Sequence, residues 1–183
     1  MRLFVSVDLD GLTAKVRAVQ ERFEGAGGLN VVDPEQAHVT LKFLGEVEPG
    51  RVDELTDELA GAVADSGVGP FTAEFGGLGV FPHLGYISVV WLGVREGDGQ
   101  LTRLHEAIED RTVAMGFEAE DHDFTPHVTL ARMEHAGGKE LVQDVVESQD
   151  PDAGRLQVED VRLTGSTLTD EGPEYRTVSA IPL

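Results

Sequence analysis

The chain has 183 residues, of which 40% are hydrophobic, enough for one compact domain whose core needs no covalent cross-link. It contains no cysteine, so disulfides and thiolate chemistry are excluded, and a metal site would have to consist of histidine and carboxylate ligands. Its 34 acidic and 14 basic residues give a formal net charge of −20 at pH 7.

Apolar residues recur at helical spacing in four segments, each bounded by turn residues. We expect helices after Asp10, from Pro49 to Gly67, before Gly116 and after Gly138. Seven strand-like runs lie between them, at residues 3–8, 37–44, 71–80, 86–94, 126–133, 155–164 and 175–181. Several runs follow one another across short Gly/Pro turns, so the order predicts an α+β fold with antiparallel sheets and not a doubly wound parallel sheet.

The acidic residues are spread along the predicted helices and loops and are not gathered in one tail. This distribution favours adaptation to molar salt, where the Debye length shrinks to about 3 Å and self-repulsion is screened. A merely acidic soluble protein is the alternative interpretation. The N-terminal run MRLFVSVDLDG is too short for a signal peptide or a membrane span, so we expect a strand there and a cytoplasmic protein, at high salt.

The sequence resembles itself when it is shifted by 89 residues. Residues 38–41 (HVTL) then fall on residues 127–130 (HVTL), and Tyr86 falls on Tyr175. We therefore expect a duplicated unit of helix, motif strand, helix and two further strands, with a pseudo-two-fold axis between the halves. No linker composition separates the halves, so residues 1–183 are expected to form a single domain.

Each repeated segment carries a histidine and a threonine two positions apart, and such residues project to the same face of a strand. His38 and Thr40 should therefore face one cleft together with His127 and Thr129. One neutral imidazole can accept a proton while a protonated one donates to a departing oxygen, since the ordinary pKa of histidine is about 6.5. The hydroxyls can donate hydrogen bonds to phosphate oxygens. The constellation favours metal-independent cleavage of a phosphodiester.

The residues around both motifs resemble one known family, the two-histidine phosphoesterases, and within it the LigT-like RNA 2′,3′-cyclic phosphodiesterases, also called 2′-5′ RNA ligases. The resemblance begins with residues 2–7 (RLFVSV), passes through 38–46 (HVTLKFLGE) and 124–132 (FTPHVTLAR), and closes with Ser166 and Tyr175. It implies a bilobal α+β fold with a central cleft. It also implies hydrolysis of a cyclic phosphate on an RNA end to a 2′-phosphate, without a metal or cofactor.

The same resemblance implies that His38 is the proton donor and His127 the proton acceptor, an order that two similar motifs do not reveal by themselves. Two other functions stay open: turnover of a small nucleotide such as ADP-ribose cyclic phosphate, and binding of RNA ends without turnover. Two complete motifs favour an enzyme over a non-catalytic binding module. Ligase activity, the reverse reaction, is left undecided because a catalyst does not set the direction of a reaction.

Candidate substrate-binding residues follow each motif. Lys42 shares the face of His38 if the strand continues without a bulge, and would then contact phosphate. Arg132 has the opposite parity to His127, but it ends the strand, where a bulge could return its guanidinium to the cleft. His105 lies at the edge of a helical stripe and is expected to be a boundary residue.

RNA is the expected partner, although the usual basic surface of an RNA-binding protein is missing. Hydrogen bonds and base stacking on aromatic rings should then dominate recognition. Candidates for stacking are Tyr86, Tyr175, Phe43 and Phe81. We expect a monomer that does not bind membranes.

Overall fold

A computed structural model describes residues 1–183, and all four predicted helices are present. The helices are α1 (Thr13–Glu21), α2 (Val52–Ser66), α3 (Asp98–Ala114) and α4 (Lys139–Ser148). The strands are β1 (Arg2–Asp8), β2 (Leu29–Val31), β3 (His38–Glu46), β4 (Phe71–His83), β5 (Tyr86–Glu96), β6 (His127–Met133), β7 (Asp152–Val158), β8 (Asp160–Thr169) and β9 (Gly172–Pro182). No helix is long and apolar enough to span a bilayer.

The strands form one antiparallel sheet in the order β7-β4-β5-β6-β3-β1-β8-β9, and the short β2 adds to β6. We call β9-β8-β1-β3 the first half-sheet and β6-β5-β4-β7 the second. Helices α3 and α2 pack on β3 and β9, whereas α1 and α4 pack on the second half-sheet. The predicted α+β fold with antiparallel sheets is confirmed, and it places the two motif strands, β3 and β6, side by side at the centre.

The predicted equivalence of Tyr86 and Tyr175 does not hold in space. A shift of 89 residues maps the β4–β5 hairpin onto the β8–β9 hairpin, but β5 lies beside β6 while β9 is an edge strand. Strand β1 occupies the place beside β3 that β5 occupies beside β6. Because β1 already fills that position, β9 is left at the edge, and the two tyrosines have different surroundings.

The single strand expected over residues 155–164 is instead two separate strands, β7 and β8, on either side of Glu159. Strand β7 pairs with β4 in the second half-sheet, and β8 pairs with β1 in the first. The apolar alternation shifts here, from Leu156 and Val158 to Val161 and Leu163. The chain changes half-sheets at this point, which keeps both pairs directed towards apolar surroundings.

Both motif strands contain a β-bulge at the same place in the repeat. The register of β1 and β3 skips Leu41, and that of β5 and β6 skips Leu130. A bulge shifts the alternation of side chains by one residue. Beyond it, Lys42 points into the core, whereas Phe43 and Arg132 are exposed on the face of the histidines.

Candidate active site

A single residue pair, Val39 and Val128, joins β3 to β6. Both side chains are fully buried, so the residues on either side of each valine point to the opposite face of the sheet. Because the strands are antiparallel and Val39 pairs with Val128, the histidine of each motif is next to the threonine of the other motif in the register of the two strands. These residues form what we call the His–Thr cluster: His38, Thr40, His127 and Thr129.

Both imidazoles are oriented by a carbonyl two residues upstream. The distance from His38 Nδ1 to the Gln36 carbonyl oxygen is 2.8 Å, and that from His127 Nδ1 to the Thr125 carbonyl oxygen is 2.6 Å. A carbonyl only accepts hydrogen bonds, so Nδ1 carries the proton in each ring. Nε2 is therefore the atom of each ring that can exchange a proton with a ligand, and that of His38 accepts a hydrogen bond from Thr40 Oγ1 over 3.0 Å.

The pKa values of both histidines are shifted downward. Burial lowers the pKa of His38, and the hydrogen bond to Gln36 and the carboxylate of Asp8 oppose the shift only in part. Burial also lowers the pKa of His127, and the charges of His38 and Arg132 lower it further. Desolvation disfavours an imidazolium. The two imidazoles also differ in their acidic surroundings, since only His38 has a neighbouring carboxylate that raises its pKa.

Asp8 is held in place next to His38, which it pairs with in the register of β1 and β3. Ser6 Oγ donates to Asp8 Oδ1 over 2.8 Å, and Arg162 Nη1 donates to Asp8 Oδ2 over 2.9 Å. Arg162 also pairs with two further carboxylates, so the surroundings of Asp8 keep a negative charge. Asp8 was not predicted as a site residue, although it lies two positions after Ser6 and therefore projects to the same face of β1.

Aromatic rings surround each imidazole. Phe4 and Tyr175 lie against His38, with ring centroids 5.0 and 5.3 Å away. Phe81 lies edge-on to His127, with centroids 4.9 Å apart. Of the predicted stacking residues, the structure thus brings Tyr175 and Phe81 to the histidines, and the contact of Phe4 was not predicted.

Two predicted stacking residues are largely exposed and contact neither imidazole ring. Phe43 is 64% exposed, and its ring centroid lies 6.1 Å from that of Phe4. Tyr86 is 67% exposed and begins β5 at the β4–β5 turn. Phe43 therefore extends the aromatic surface beside His38, whereas Tyr86 lies apart from the aromatic contacts of the cluster.

Arg132 supplies an exposed positive charge beside the His–Thr cluster. Its guanidinium makes no ion pair, although the chain contains 34 acidic residues. Its charge lowers the pKa values of His38, His127 and Tyr175, so it acts on both halves of the cluster. The bulge at Leu130 explains how a residue of the wrong parity reaches this face.

Lys42 does not face the cleft, and the expectation that it contacts phosphate is wrong. Its side chain is 1% exposed, and Nζ lies 2.8 Å from Glu109 Oε2 and donates to the Glu118 carbonyl oxygen. Burial, the largest single effect, would raise the pKa of Glu109, but the hydrogen bonds from Lys42 and the Glu120 N–H, together with the charge of Lys42, outweigh it and hold that pKa below its usual range. The bulge at Leu41 turned Lys42 into the core.

His105 is a buried structural residue and not a boundary residue as expected, since it is 8% exposed. Its Nδ1 donates to the carbonyl oxygen of the bulge residue Leu41 over 2.7 Å, and its ring stacks on Phe124 at 4.1 Å. On the other side Gln20 Nε2 donates to the carbonyl oxygen of Leu130 over 3.1 Å. Buried side chains from α3 and α1 thus satisfy the carbonyl groups at both bulges.

Comparisons with known proteins identify the family of the chain. A family model described as the 2′-5′ RNA ligase superfamily matches residues 10–167. An RNA 2′,3′-cyclic phosphodiesterase from Archaeoglobus fulgidus is 36% identical over 178 residues, which cover 96% of this chain and 97% of the relative. A protein of the same name from Aeropyrum pernix is 38% identical and covers 82% of this chain and 84% of its own length.

Solved structures share the fold over the whole chain. A crystal structure of a Thermus thermophilus protein superposes with a TM-score of 0.79 at 28% identity, covering 100% of this chain and 98% of its own. Escherichia coli LigT complexed with 3′-AMP has a TM-score of 0.79 and 23% identity, again covering 100% and 98%. The second likeness is one of fold alone.

Proposed function

Because this chain belongs to the 2′-5′ RNA ligase superfamily, we propose that it hydrolyses 2′,3′-cyclic phosphate ends of RNA at the His–Thr cluster. The observation that carries the proposal is the paired arrangement of His38 and His127, each with Nδ1 bonded to a carbonyl, which leaves Nε2 as the atom that exchanges a proton. A reaction that needs one proton acceptor and one donor is served by two such imidazoles. The names of the archaeal relatives support the substrate.

In the proposed reaction a water molecule attacks phosphorus, and neutral His127 accepts its proton at Nε2. The bond from phosphorus to the 3′-oxygen breaks, and protonated His38 donates its Nε2 proton to that oxygen, leaving a 2′-phosphate. Asp8 supports this order, because its carboxylate favours the proton on His38, whereas no carboxylate raises the pKa of His127. No step in this scheme requires a metal or a cofactor.

We propose that three groups stabilise the charge on the phosphate oxygens. The Thr40 hydroxyl is already engaged with His38, whereas the Thr129 hydroxyl makes no side-chain hydrogen bond and is free to donate. Arg132 adds a charged donor. Tyr175 and Tyr86 are retained as proposed substrate contacts, Tyr175 beside His38 and Tyr86 for longer RNA.

The direct test is turnover of a 2′,3′-cyclic nucleotide, followed by phosphorus NMR at several pH values with and without a chelator. We expect a 2′-phosphate product, no effect of the chelator, and a bell-shaped kcat/KM profile. The profile should be centred below pH 6.5, because burial lowers both histidine pKa values. The acid limb reports protonation of the acceptor, and the alkaline limb reports loss of the donor's proton.

Other products would select other functions. A 3′-phosphate would reverse the donor and acceptor assignment, and tight binding of RNA ends without turnover would favour a binding module. A much higher kcat/KM for ADP-ribose cyclic phosphate than for an RNA end would select the small-nucleotide alternative. Formation of a 2′-5′ linkage from cleaved RNA ends would add the reverse, ligase reaction.

We further propose that the protein works as a monomer in a cytoplasm of high salt. The net charge of −20 supports this, as does the distribution of ion pairs, in which several arginines each contact more than one carboxylate. Arg95 contacts Asp150 and Asp152, and Arg111 contacts Glu58 and Asp65. Such an excess of carboxylates repels itself at low salt and is screened at high salt.

Molar potassium chloride is therefore expected to raise the Tm relative to 0.1 M salt. A gain of about 2 kcal/mol in the free energy of unfolding would raise the Tm by about 4–8 °C for a chain of this size. Thermal melts by circular dichroism measure the shift, with equimolar sucrose as the control for a non-ionic cosolvent. A Tm that stays constant or falls in molar salt would contradict the proposal.

A further inference from the structure

We infer that Gln36 is a positioning residue that clasps edge strand β9 to the turn before β3 and thereby holds Tyr175 against His38. The kinetic consequence of this clasp rests on the proposed function, whereas its structural consequence does not. Gln36 was not among the residues that the sequence marked as functional, because its partners are distant in the chain.

The clasp consists of two hydrogen bonds from one side-chain amide to the backbone of β9. Gln36 Nε2 donates to the Pro173 carbonyl oxygen over 2.9 Å, and Gln36 Oε1 accepts from the Tyr175 backbone N–H over 2.8 Å. Strand β9 pairs only with β8 and is otherwise a free edge. The amide of Gln36 therefore bonds this edge as the backbone of a neighbouring strand would.

The same residue also orients His38. Gln36 ends a single 3₁₀ turn, Pro34–Gln36, in which the Asp33 side chain caps the Glu35 N–H over 2.9 Å. Its backbone carbonyl oxygen accepts from His38 Nδ1 over 2.8 Å. One short turn thus fixes both the tautomer of the imidazole and, through the side chain, the strand that carries the ring beside it.

Tyr175 depends on this clasp for its position. Its ring meets His38 nearly edge-on, with centroids 5.3 Å apart at 86°, and meets Phe4 in the same manner at 5.1 Å. Tyr175 is half-buried, and no side-chain hydrogen bond of its hydroxyl fixes the ring. The two bonds of Gln36 are therefore the polar contacts that tie the Tyr175 backbone to the His38 turn.

The second motif has no corresponding clasp. The residue 89 positions after Gln36 is Thr125, which supplies a backbone carbonyl to His127 but has a side chain too short to span to another strand. The ring beside His127 comes instead from Phe81 of β4, an interior strand of the sheet. The clasp is thus a feature of the His38 half only, where the sheet ends.

The test compares Gln36→Met, which removes both hydrogen bonds at similar length, with Gln157→Met as a matched control. Gln157 is an exposed residue of the other edge strand, β7, and makes one side-chain bond, to Thr72. Proton NMR titration of His38 should show its pKa rising towards the ordinary value in Gln36→Met, because a displaced Tyr175 leaves the imidazole more hydrated. Gln157→Met should titrate like the wild type.

Kinetically, Gln36→Met is expected to lower kcat/KM about five- to thirtyfold, the effect of one or two net hydrogen bonds. Gln36→Glu, which retains the acceptor for the Tyr175 N–H but places an oxygen against the Pro173 carbonyl, should fall between. In a Tyr175→Ala background the Gln36 substitution should change kcat/KM less than twofold, since the ring on which it acts is gone.

Each outcome decides the inference. A folded Gln36→Met protein with an unchanged His38 titration and unchanged kcat/KM would overturn the clasp, and so would equal losses in Gln157→Met. Full additivity with Tyr175→Ala would show that Gln36 does not act through Tyr175. If the wild type turns over no cyclic phosphate, the proposed function fails, while the His38 titration still supports or refutes the clasp.

Discussion

Replacing either His38 or His127 by alanine is expected to lower kcat for a 2′,3′-cyclic phosphate by about a hundred- to ten-thousandfold. The reason is that each imidazole presents one Nε2 to the cluster, so that loss of either ring removes the proton donor or the proton acceptor. The double variant should lose little more than the worse single variant, because the pair transfers protons as a unit. Stopped assays with a cyclic mononucleotide measure these rates.

The control for these variants is His135→Ala, which removes an exposed imidazole that accepts only a local bond from the Gly137 N–H. His105→Ala does not serve as a control, because His105 is buried and bonds the carbonyl of the bulge residue Leu41. Near-wild-type rates in both folded single variants would refute the two-histidine mechanism, and so would a wild-type rate that a chelator abolishes.

The His–Thr cluster was predictable because parity within one strand is a local property. The spacing of His38 and Thr40 fixes their common face, and the duplicate at His127 places a second pair in the same surroundings. The helices were equally accessible, since each has a single apolar stripe. That residues 1–183 form one domain of two pseudo-symmetric halves stays a prediction, as do the individual roles of the site residues.

The bulges were not predictable, and they determine to which face of the sheet Lys42 and Arg132 point. Nothing in the sequence LKF after Thr40 distinguishes a regular strand from one that skips Leu41, because the register depends on β1 and on a carbonyl bonded by His105. Lys42 was consequently assigned to the wrong face. The change of half-sheets at Glu159 had a visible signal, namely the shift in apolar alternation on either side of it.

Residues that act across the sheet also escaped prediction. Asp8 and Phe4 reach His38 from the neighbouring strand, and Gln36 reaches an edge strand more than a hundred positions away. A single sequence contains no record of which strands become neighbours, least of all when β1 takes a place that the repeat would give to another strand. The catalytic residue types can therefore be predicted from the local sequence, whereas the difference in charge around the two histidines depends on which strands become neighbours.

Arg132→Met is expected to lower kcat/KM about a hundred- to thousandfold, comparable to the loss of a donor that stabilises transition-state charge. Arg132 is the arginine whose charge acts on both imidazoles, and it has no carboxylate partner in a chain of net charge −20. It is therefore available to a phosphate that arrives between the histidines. The same substitution at Arg103, an exposed arginine of α3 without an ion pair, is the matched control for the change in net charge.

Lys42→Met is expected to lower stability and leave kcat/KM unchanged, which is the opposite of the effect expected for Arg132→Met. Removing the ammonium leaves Glu109 partly buried without its partner, so we expect a loss of about 3 kcal/mol in the free energy of unfolding. The kcat/KM of the folded fraction should stay near that of the wild type, because Lys42 does not reach the cleft. If Lys42→Met lost substrate affinity and Arg132→Met did not, the bulges would have to be absent in solution. The two variants thus measure, through a kinetic ratio, whether the register shift at Leu41 and Leu130 delivers one cation to the core and the other to the phosphate.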